Sequence, residues 1–365
     1  MANLTEPSFS SGKREELADL ISMIDAKDTP FTSMAKKGSK PGNTLFRWQA
    51  DSLPLPKMTG TVDGTDVSTY DNYTKDADAS KQYRTELSNY IQIFRRSVRV
   101  SPLTQDITNI AGVRDELANN VAKGIQAIKR DMEVSLCSNT GAQADAGGST
   151  PYLTRGLHKW LQAAGTGTVS FSTGLWSSVN ASQDSTLPIH GSFQTPSANR
   201  STVGTAALSE TVVQDMLTGI YSQTGQYKDY DALVGTALKR AFTNLVFTSS
   251  STTNASTNTF TQNAVRTLNR ESDSTSYISS VDIFEGDFGK LRLHPSHYLK
   301  ATSGVGSTFA GYIIPFDQVE VRYGGNVAGV TALPNAGGGE ARMIEAVAGL
   351  CIYNPLAFGV FDFTA

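Results

Sequence analysis

Over residues 112–138 apolar side chains recur every three or four positions: Val113, Leu117, Val121, Ile125, Ile128, Met132 and Leu136. At ~100° per residue they form one stripe, and the pattern predicts an amphipathic helix about 40 Å long. Asp115, Glu116, Lys123, Arg130 and Glu133 fall on the other side, while Arg114 and Asp131 intrude on the apolar one. A second helix is expected after Leu208, with Ser209 as N-cap, Val212, Val213, Met216, Leu217 and Ile220 inward, and Gly225 closing it. The apolar strand at 232–234 then leads into a third helix carrying Leu238, Ala241, Phe242 and Leu245. Together these make a helix, strand, helix unit of an α+β layer.

Elsewhere the period is two. Phe46 and Trp48 share a face in 43–49, and a second strand pattern covers 89–100, so the two stretches are expected to be the legs of one long hairpin. The connection, 53–87, holds Asp63, Asp66, Asp71, Asp76 and Asp78 and little that can fill a core. A loop of that length is out of place inside a compact domain, and it is expected to project and be ordered by neighbouring chains. Before the hairpin, Pro30 biases Thr29 to an extended conformation, so a short helix is expected to end ahead of it. The basic, Gly/Pro-broken run with Lys36, Lys37 and Lys40 completes an arm. Residues 139–205 are rich in Gly, Ser, Thr and Gln, with Leu161, Phe171, Leu175, Trp176 and Phe193 as anchors, and read as a surface insertion. The Ser/Thr/Asn run 249–262 reads as a loop. Strand patterns follow at 277–284, 290–294 and 319–323, and the apolar end of the chain is broken at Asn354-Pro355.

Composition narrows what such a chain can do. Its 365 residues suffice for roughly two compact domains. A net charge of -3 with 18% charged residues argues against a polyanion-binding surface. No apolar run reaches the ~18 residues of a membrane span. Cys137 and Cys351 stand far apart, which excludes a disulfide-stapled scaffold and a zinc module and fits a reducing compartment; no secretory signal pattern opens the chain. A phosphate-cradling loop is missing, since Gly12-Lys13 is followed by Arg14, and Gly304-Val305-Gly306 lacks the third glycine of a dinucleotide fingerprint. Among four histidines the close pair is His294 and His297, with Pro295 interrupting any element that would converge them on a metal. No Gly-x-Ser-x-Gly elbow occurs. The pattern therefore supplies no catalytic, cofactor or metal residue, and the remaining candidates are contacts between copies. These are Pro30 and Phe31 in the arm, Trp48 in the first strand, Asp63 and Asp66 in the acidic connection, and Arg95, Arg96 and Arg99 after it. The arginines are expected to pair with a neighbour's acidic segment rather than with DNA phosphates.

Several collinear stretches carry a family resemblance. Asp28-Thr29-Pro30-Phe31, Asn43-Thr44-Leu45-Phe46-Arg47-Trp48-Gln49 with Asp51-Ser52-Leu53, and Asn89-Tyr90-Ile91-Gln92-Ile93-Phe94 come first. Lys129-Arg130-Asp131-Met132-Glu133, Val234-Gly235-Thr236-Ala237-Leu238-Lys239-Arg240-Ala241 and Phe284-Glu285-Gly286-Asp287-Phe288-Gly289-Lys290 follow. The ordered set spans most of the chain and resembles a family of tailed-bacteriophage major capsid proteins. The resemblance implies the α+β Hong Kong-97-like capsid fold. Its parts would be an N-arm (1–45), an E-loop hairpin (46–100), a P-domain with its spine helix (101–138), the insertion (139–205), an A-domain (206–275) and strands completing both domains (276–365). It also implies a non-enzymatic virion subunit, assembled in the bacterial cytoplasm, that forms hexamers and pentamers of an icosahedral shell enclosing double-stranded DNA. Portal, scaffold and decoration proteins would be further partners, with weak non-specific contact to the packaged DNA, no membrane and no cofactor. An encapsulin-like compartment shell is the alternative. The insertion is longer than the resemblance leads one to expect. Some members cross-link through Lys, Asn and a catalytic Glu; Glu345 lies near such a position, and no cross-link is assigned.

Overall fold

Proline sets the start of the first helix. The computed structural model describes residues 28–53, 56, 58–68, 70, 73, 83–106, 115–161, 187, 189, 193–202, 208–247, 268–271, 274–277, 281–301, 311–325, 327–335 and 337–362. Pro30 opens α1 (Pro30–Met34), because its fixed φ suits a first turn and its missing N–H would have been unpaired there. The helix expected before Thr29 lies outside the described residues.

After β1 (Lys36–Gly38), β2 (Leu45–Asp51) buries Phe46 and Trp48 and exposes Arg47 and Gln49, as its period requires. Its partner differs from the expected one. β3 (Arg84–Tyr90) runs antiparallel to it, with Trp48 opposite Leu87, and after the single residue Ile91 the chain enters β4 (Gln92–Val100), which pairs with a C-terminal strand instead. The strand pattern of 89–100 thus continues through a change of partner, which periodicity does not encode.

α2 (Pro102–Asp106) precedes the long helix α3 (Glu116–Leu136), whose N-cap Asp115 accepts the Ala118 N–H at 3.0 Å. Ile128, Met132 and Leu136 of the predicted stripe are buried; Glu133, assigned to the polar side, is buried as well. The stretch read as a surface insertion exposes residues 145–149 but also contributes side chains to the core. Ala142, α4 (Leu157–Trp160), Leu161, Ile189 and Phe193 are buried, whereas Phe171, Leu175 and Trp176 lie outside the described residues. Side chains of this stretch bind the backbone of 355–358: Thr195 Oγ1 donates to Pro355 O (3.0 Å), and Asn199 Nδ2 to Leu356 O and Phe358 O (2.9 and 3.2 Å).

β5 (Arg200–Thr202) leads to α5 (Glu210–Thr224), capped by Ser209 Oγ accepting the Val212 N–H (3.3 Å) and ended by Gly225 at φ 65°. β6 (Lys228–Val234) and α6 (Thr236–Phe247) follow, then the hairpin of β7 (Leu268–Glu271) and β8 (Ser274–Tyr277). The run 249–262 lies outside the described residues. The remaining strands are β9 (Ile283–Gly286), β10 (Gly289–Pro295), β11 (Gly311–Ile314), β12 (Val319–Tyr323), β13 (Gly329–Leu333), β14 (Glu340–Ile352) and β15 (Gly359–Asp362).

Two sheets organise these elements. In the first, β12 and β13 pair with successive stretches of β14, β4 runs along β14 from Glu340 to Ala348, and β1 adds to β12 in parallel. α3 packs on this sheet, with Gly124 so close to Ile344 that an added Cβ would lie 2.3 Å from its Cδ1. The second sheet has the order β5, β15, β11, β6, β10, β9. Alternate residues of its centre serve two cores: Leu233, Tyr312, Ile314 and Val360 join the cluster under α3, while Ala232, Val234, Ile313 and Phe361 join Val213, Met216 and Leu217 of α5 and Leu238 and Phe242 of α6. A strand buried on both faces loses the polar alternation, as β11 does with all four residues buried. Gly349 of β14 faces the root of the β2–β3 hairpin; an added Cβ would lie 2.6 Å from the Phe46 ring and 3.3 Å from Tyr90 O. Gly349→Ala is expected to destabilise the unassembled subunit by about 1–3 kcal/mol, the usual range for overpacking, read as a lower midpoint of denaturant unfolding.

Candidate inter-subunit interface

The β2–β3 hairpin is rooted in the core and bare beyond it. At the root, Trp48 Nε1 donates to Ile352 O (3.0 Å). Asn89, fully buried, donates from Nδ2 to Leu350 O (2.7 Å), Thr154 Oγ1 (3.0 Å) and Arg155 O (3.3 Å), and its Oδ1 accepts the N–H of Arg155 (2.8 Å) and of Tyr90 (2.9 Å). Rings continue the joint: Phe46 stacks on Trp48 (5.6 Å between centroids) and Trp48 meets Trp160 (5.6 Å), with the Arg322 guanidinium over Phe46 (5.4 Å) and that of Arg155 over Trp160 (4.5 Å). Arg84 and Asp51 pair across the last rung at 2.7 Å.

Past that rung the apolar side chains face solvent. Leu53 (88%), Met58 (100%), Val62 (77%), Val67 (68%), Tyr70 (88%) and Tyr73 are exposed, with Asp63 and Asp66 exposed among them. So many large apolar groups on one short stretch exceed the scattered exposure normal for a monomer and mark a surface that another molecule covers.

A second open surface lies on the first sheet. Arg96 and Ile344 turn towards α3, so alternation sends Ile93, Arg95, Ser97 and Arg99 to the other face, in register with Val347, Glu345, Met343 and Ala341. Thr331 and Leu333 of β13 continue this face, and Ile93 is 51% and Leu333 36% exposed. It is thus a mixed apolar and basic sheet face.

The expected contact residues divide accordingly. Phe31 (0% exposed) and Trp48 (9%), expected as contacts between copies, lie in the core of their own subunit; Pro30 is half-buried at the start of α1. Arg95 and Arg96, expected to reach a neighbour's acids, find partners within the chain: Glu345 at 2.6 Å and Asp131 at 2.7 Å. Both pairs are half-exposed and so contribute little to stability. Asp63, Asp66 and Arg99 remain on the surface.

Sequence reasoning missed Glu133. Its Oε1 accepts the Phe31 N–H and its Oε2 the Thr32 N–H, both at 2.8 Å, so that α3 caps the start of α1 from 102 positions along the chain. Burial pushes the Glu133 carboxyl above its usual range; the two N–H groups oppose the shift without cancelling it. The only hint in the sequence is a carboxylate one place off a buried stripe residue, Met132. The histidine chemistry is local: His294 Nε2 lies 2.8 Å from Asp231 Oδ1, and His158 Nδ1 3.0 Å from the Tyr312 hydroxyl. Among the described residues no three His, Cys, Asp or Glu side chains form a metal-sized group, and no helix is long and apolar enough to cross a membrane.

Comparison with known proteins places this geometry. The family model described as SU10 major capsid protein matches residues 3–364. A major capsid protein of Escherichia phage Phieco32 is 34% identical over 128 residues, covering 35% of this chain and 34% of that protein, so the alignment spans about a third of the relative's length. Among solved structures, the cyanophage A-1(L) capsid asymmetric unit superposes with a TM-score of 0.59 at 11% identity, covering 99% of this chain and 100% of the other. Mycobacterium phage Ogopogo gives 0.55 at 10% identity, and the capsid of a native GTA particle 0.54 at 11%, each covering 100% of both chains. These likenesses show the Hong Kong-97-like fold.

The raised carboxyl of Glu133 has a consequence for stability. A folded-state pKa above the unfolded one means that the native chain binds the proton first, so this group's contribution to stability falls as pH rises from the ordinary Glu range through the raised value and is level above it. Denaturant unfolding of the unassembled subunit is expected to show that slope relative to Glu133→Gln; equal pH profiles for the two proteins would contradict it.

Proposed function

Because the chain belongs to the SU10 major capsid protein family, and is thereby a phage major capsid protein and a virion component, we propose that it assembles with copies of itself into hexamers and pentamers of an icosahedral shell around double-stranded DNA. The bare segment beyond the hairpin root carries this reading: its described apolar side chains, Leu53, Met58, Val62, Val67, Tyr70 and Tyr73, are exposed in their own subunit. They fit the open face of β4, β14 and β13 on a neighbouring copy, where Ile93, Met343, Val347 and Leu333 offer apolar contact and Arg99 meets Asp63 or Asp66. Arg95 and Arg96 then act through the Glu345 and Asp131 pairs, as neutralised rungs that a partner can cover.

The net charge of -3, with many cations already paired, fits weak and non-specific contact with packaged DNA. Portal, scaffold and decoration proteins belong to the same reading, as does assembly in the host cytoplasm. The family is structural, and the reading assigns no catalysis. The family match favours a phage shell over a cargo compartment.

Electron microscopy of the purified protein is expected to show capsomers, tubes or closed shells; a monomer at all concentrations and salts would refute the reading. Within it, reversing Asp63 and Asp66 to Lys, or Arg99→Glu alone, is expected to lower assembly yield about tenfold, as the loss of one or two good charge contacts per interface would. Combining the reversals should restore part of the yield, and no restoration would separate the acidic loop from Arg99.

A further inference from the structure

Two distant pieces of the sequence signature meet in space: Asp28-Thr29-Pro30-Phe31 and the 129–133 stretch of α3. α1 has five residues, too few to hold a helix by its own hydrogen bonds, and Thr29 at its N-cap makes no side-chain capping bond. α3 supplies what is missing. Both carboxylate oxygens of Glu133 go to consecutive N–H groups of α1, and Glu133 is 1% exposed with no ion-pair partner among the described residues. The Phe31 ring, fully buried, packs beside Phe316 at 6.0 Å. Immediately after α1 the chain is pinned again, with Lys36, Lys37 and Gly38 in parallel register on Glu320, Val321 and Arg322. On the other side Asp28 is already exposed.

We propose that Glu133 is the positioning residue of the amino-terminal arm: its carboxylate fixes the orientation of α1 on α3, and with it the position of Asp28 and Thr29 at the start of the described arm. The proposal rests on the shell reading only for what the arm reaches; the latch itself is a property of one subunit. A bidentate acceptor on two neighbouring N–H groups defines the orientation of the first turn, which a buried ring alone does not. The peg supplies grip and the carboxylate supplies aim.

Hydrogen exchange of the full-length, unassembled chain tests this. In Glu133→Gln, which keeps the volume but turns an amide N–H towards one of the donors, exchange at residues 31–33 is expected to rise about tenfold while the 117–136 and 340–352 segments keep their protection. Phe31→Ala, made as a second variant, should loosen the same arm residues by removing the peg. Unchanged exchange at 31–33 in Glu133→Gln would overturn the proposal. So would a rise shared equally by α3 and β14, which would make Glu133 a support of the core and not of the arm. Because the readout is made before assembly, failure here leaves the shell reading standing, and a chain that never assembled would still report on the latch.

Discussion

A two-stranded ribbon has no layer of its own, so everything the β2–β3 hairpin can do depends on how its root is held. The holding is done by one buried amide and a stack of rings. Asn89 uses both ends of its side chain at the point where β3 gives way to β4, tying the ribbon to β14, to the Thr154 hydroxyl and to the Arg155 backbone. Above it, Arg322, Phe46, Trp48, Trp160 and Arg155 form a column from β12 through the ribbon to α4. An Asn left unpaired there would carry the desolvation cost of a buried amide, about 1–3 kcal/mol, so the network has to be complete to be useful. The result is a firmly held base under a segment whose described residues, Ser52 to Tyr73, are all exposed.

That division explains where the polar pairs lie. Arg47 with Glu86 and Arg84 with Asp51 cross the ribbon, and Arg95 with Glu345 crosses from β4 to β14. Each is half-exposed and worth little as a stabiliser. Their effect is on what may approach: a surface whose cations are already matched repels neither sign strongly and does not concentrate a polyanion. Lys290 with Glu285 and Arg292 with Asp229 repeat the device on the solvent side of β9, β10 and β6.

Much of this architecture is legible in the chain, and the failures are of one kind. The stripe through Ile128, Met132 and Leu136, the Ser209 and Gly225 caps, and the alternation of Phe46 with Trp48 are local patterns, and local structure follows them. The change of partner at Ile91 is not local: 84–90 and 92–100 both look like strand, and only the presence of β14 decides which one completes the ribbon. The same holds for Glu133, which reads as a solvent-facing acid until α1 arrives over it, and for Thr154, which looks external until its hydroxyl is seen accepting the Leu350 N–H and the Asn89 amide. Of the contact residues, Phe31 and Trp48 were legible as important but not as internal, since an apolar ring can serve a core or a neighbour equally well.

The contrast between root and tip also bears on why such a subunit waits for a partner. Ordering a projecting segment costs about 1–2 kcal/mol of backbone entropy per residue, and Leu53, Met58, Val62, Val67 and Tyr70, largely exposed, recover little of it in the isolated chain. A neighbour that covers them changes the balance: each large side chain removed from water returns about 1.5–3 kcal/mol. That return is available to these side chains only through contact, so covering them offsets part of an entropy cost that folding of the single subunit leaves unopposed there. The stiff root makes such contact effective, because a ribbon free to swing at Asn89 would add its own entropy to every contact. The bonds at Asn89 and Trp48, combined with the exposure of every described residue from Ser52 to Tyr73, therefore leave one end of the hairpin fixed by its own chain and the other open to a neighbour.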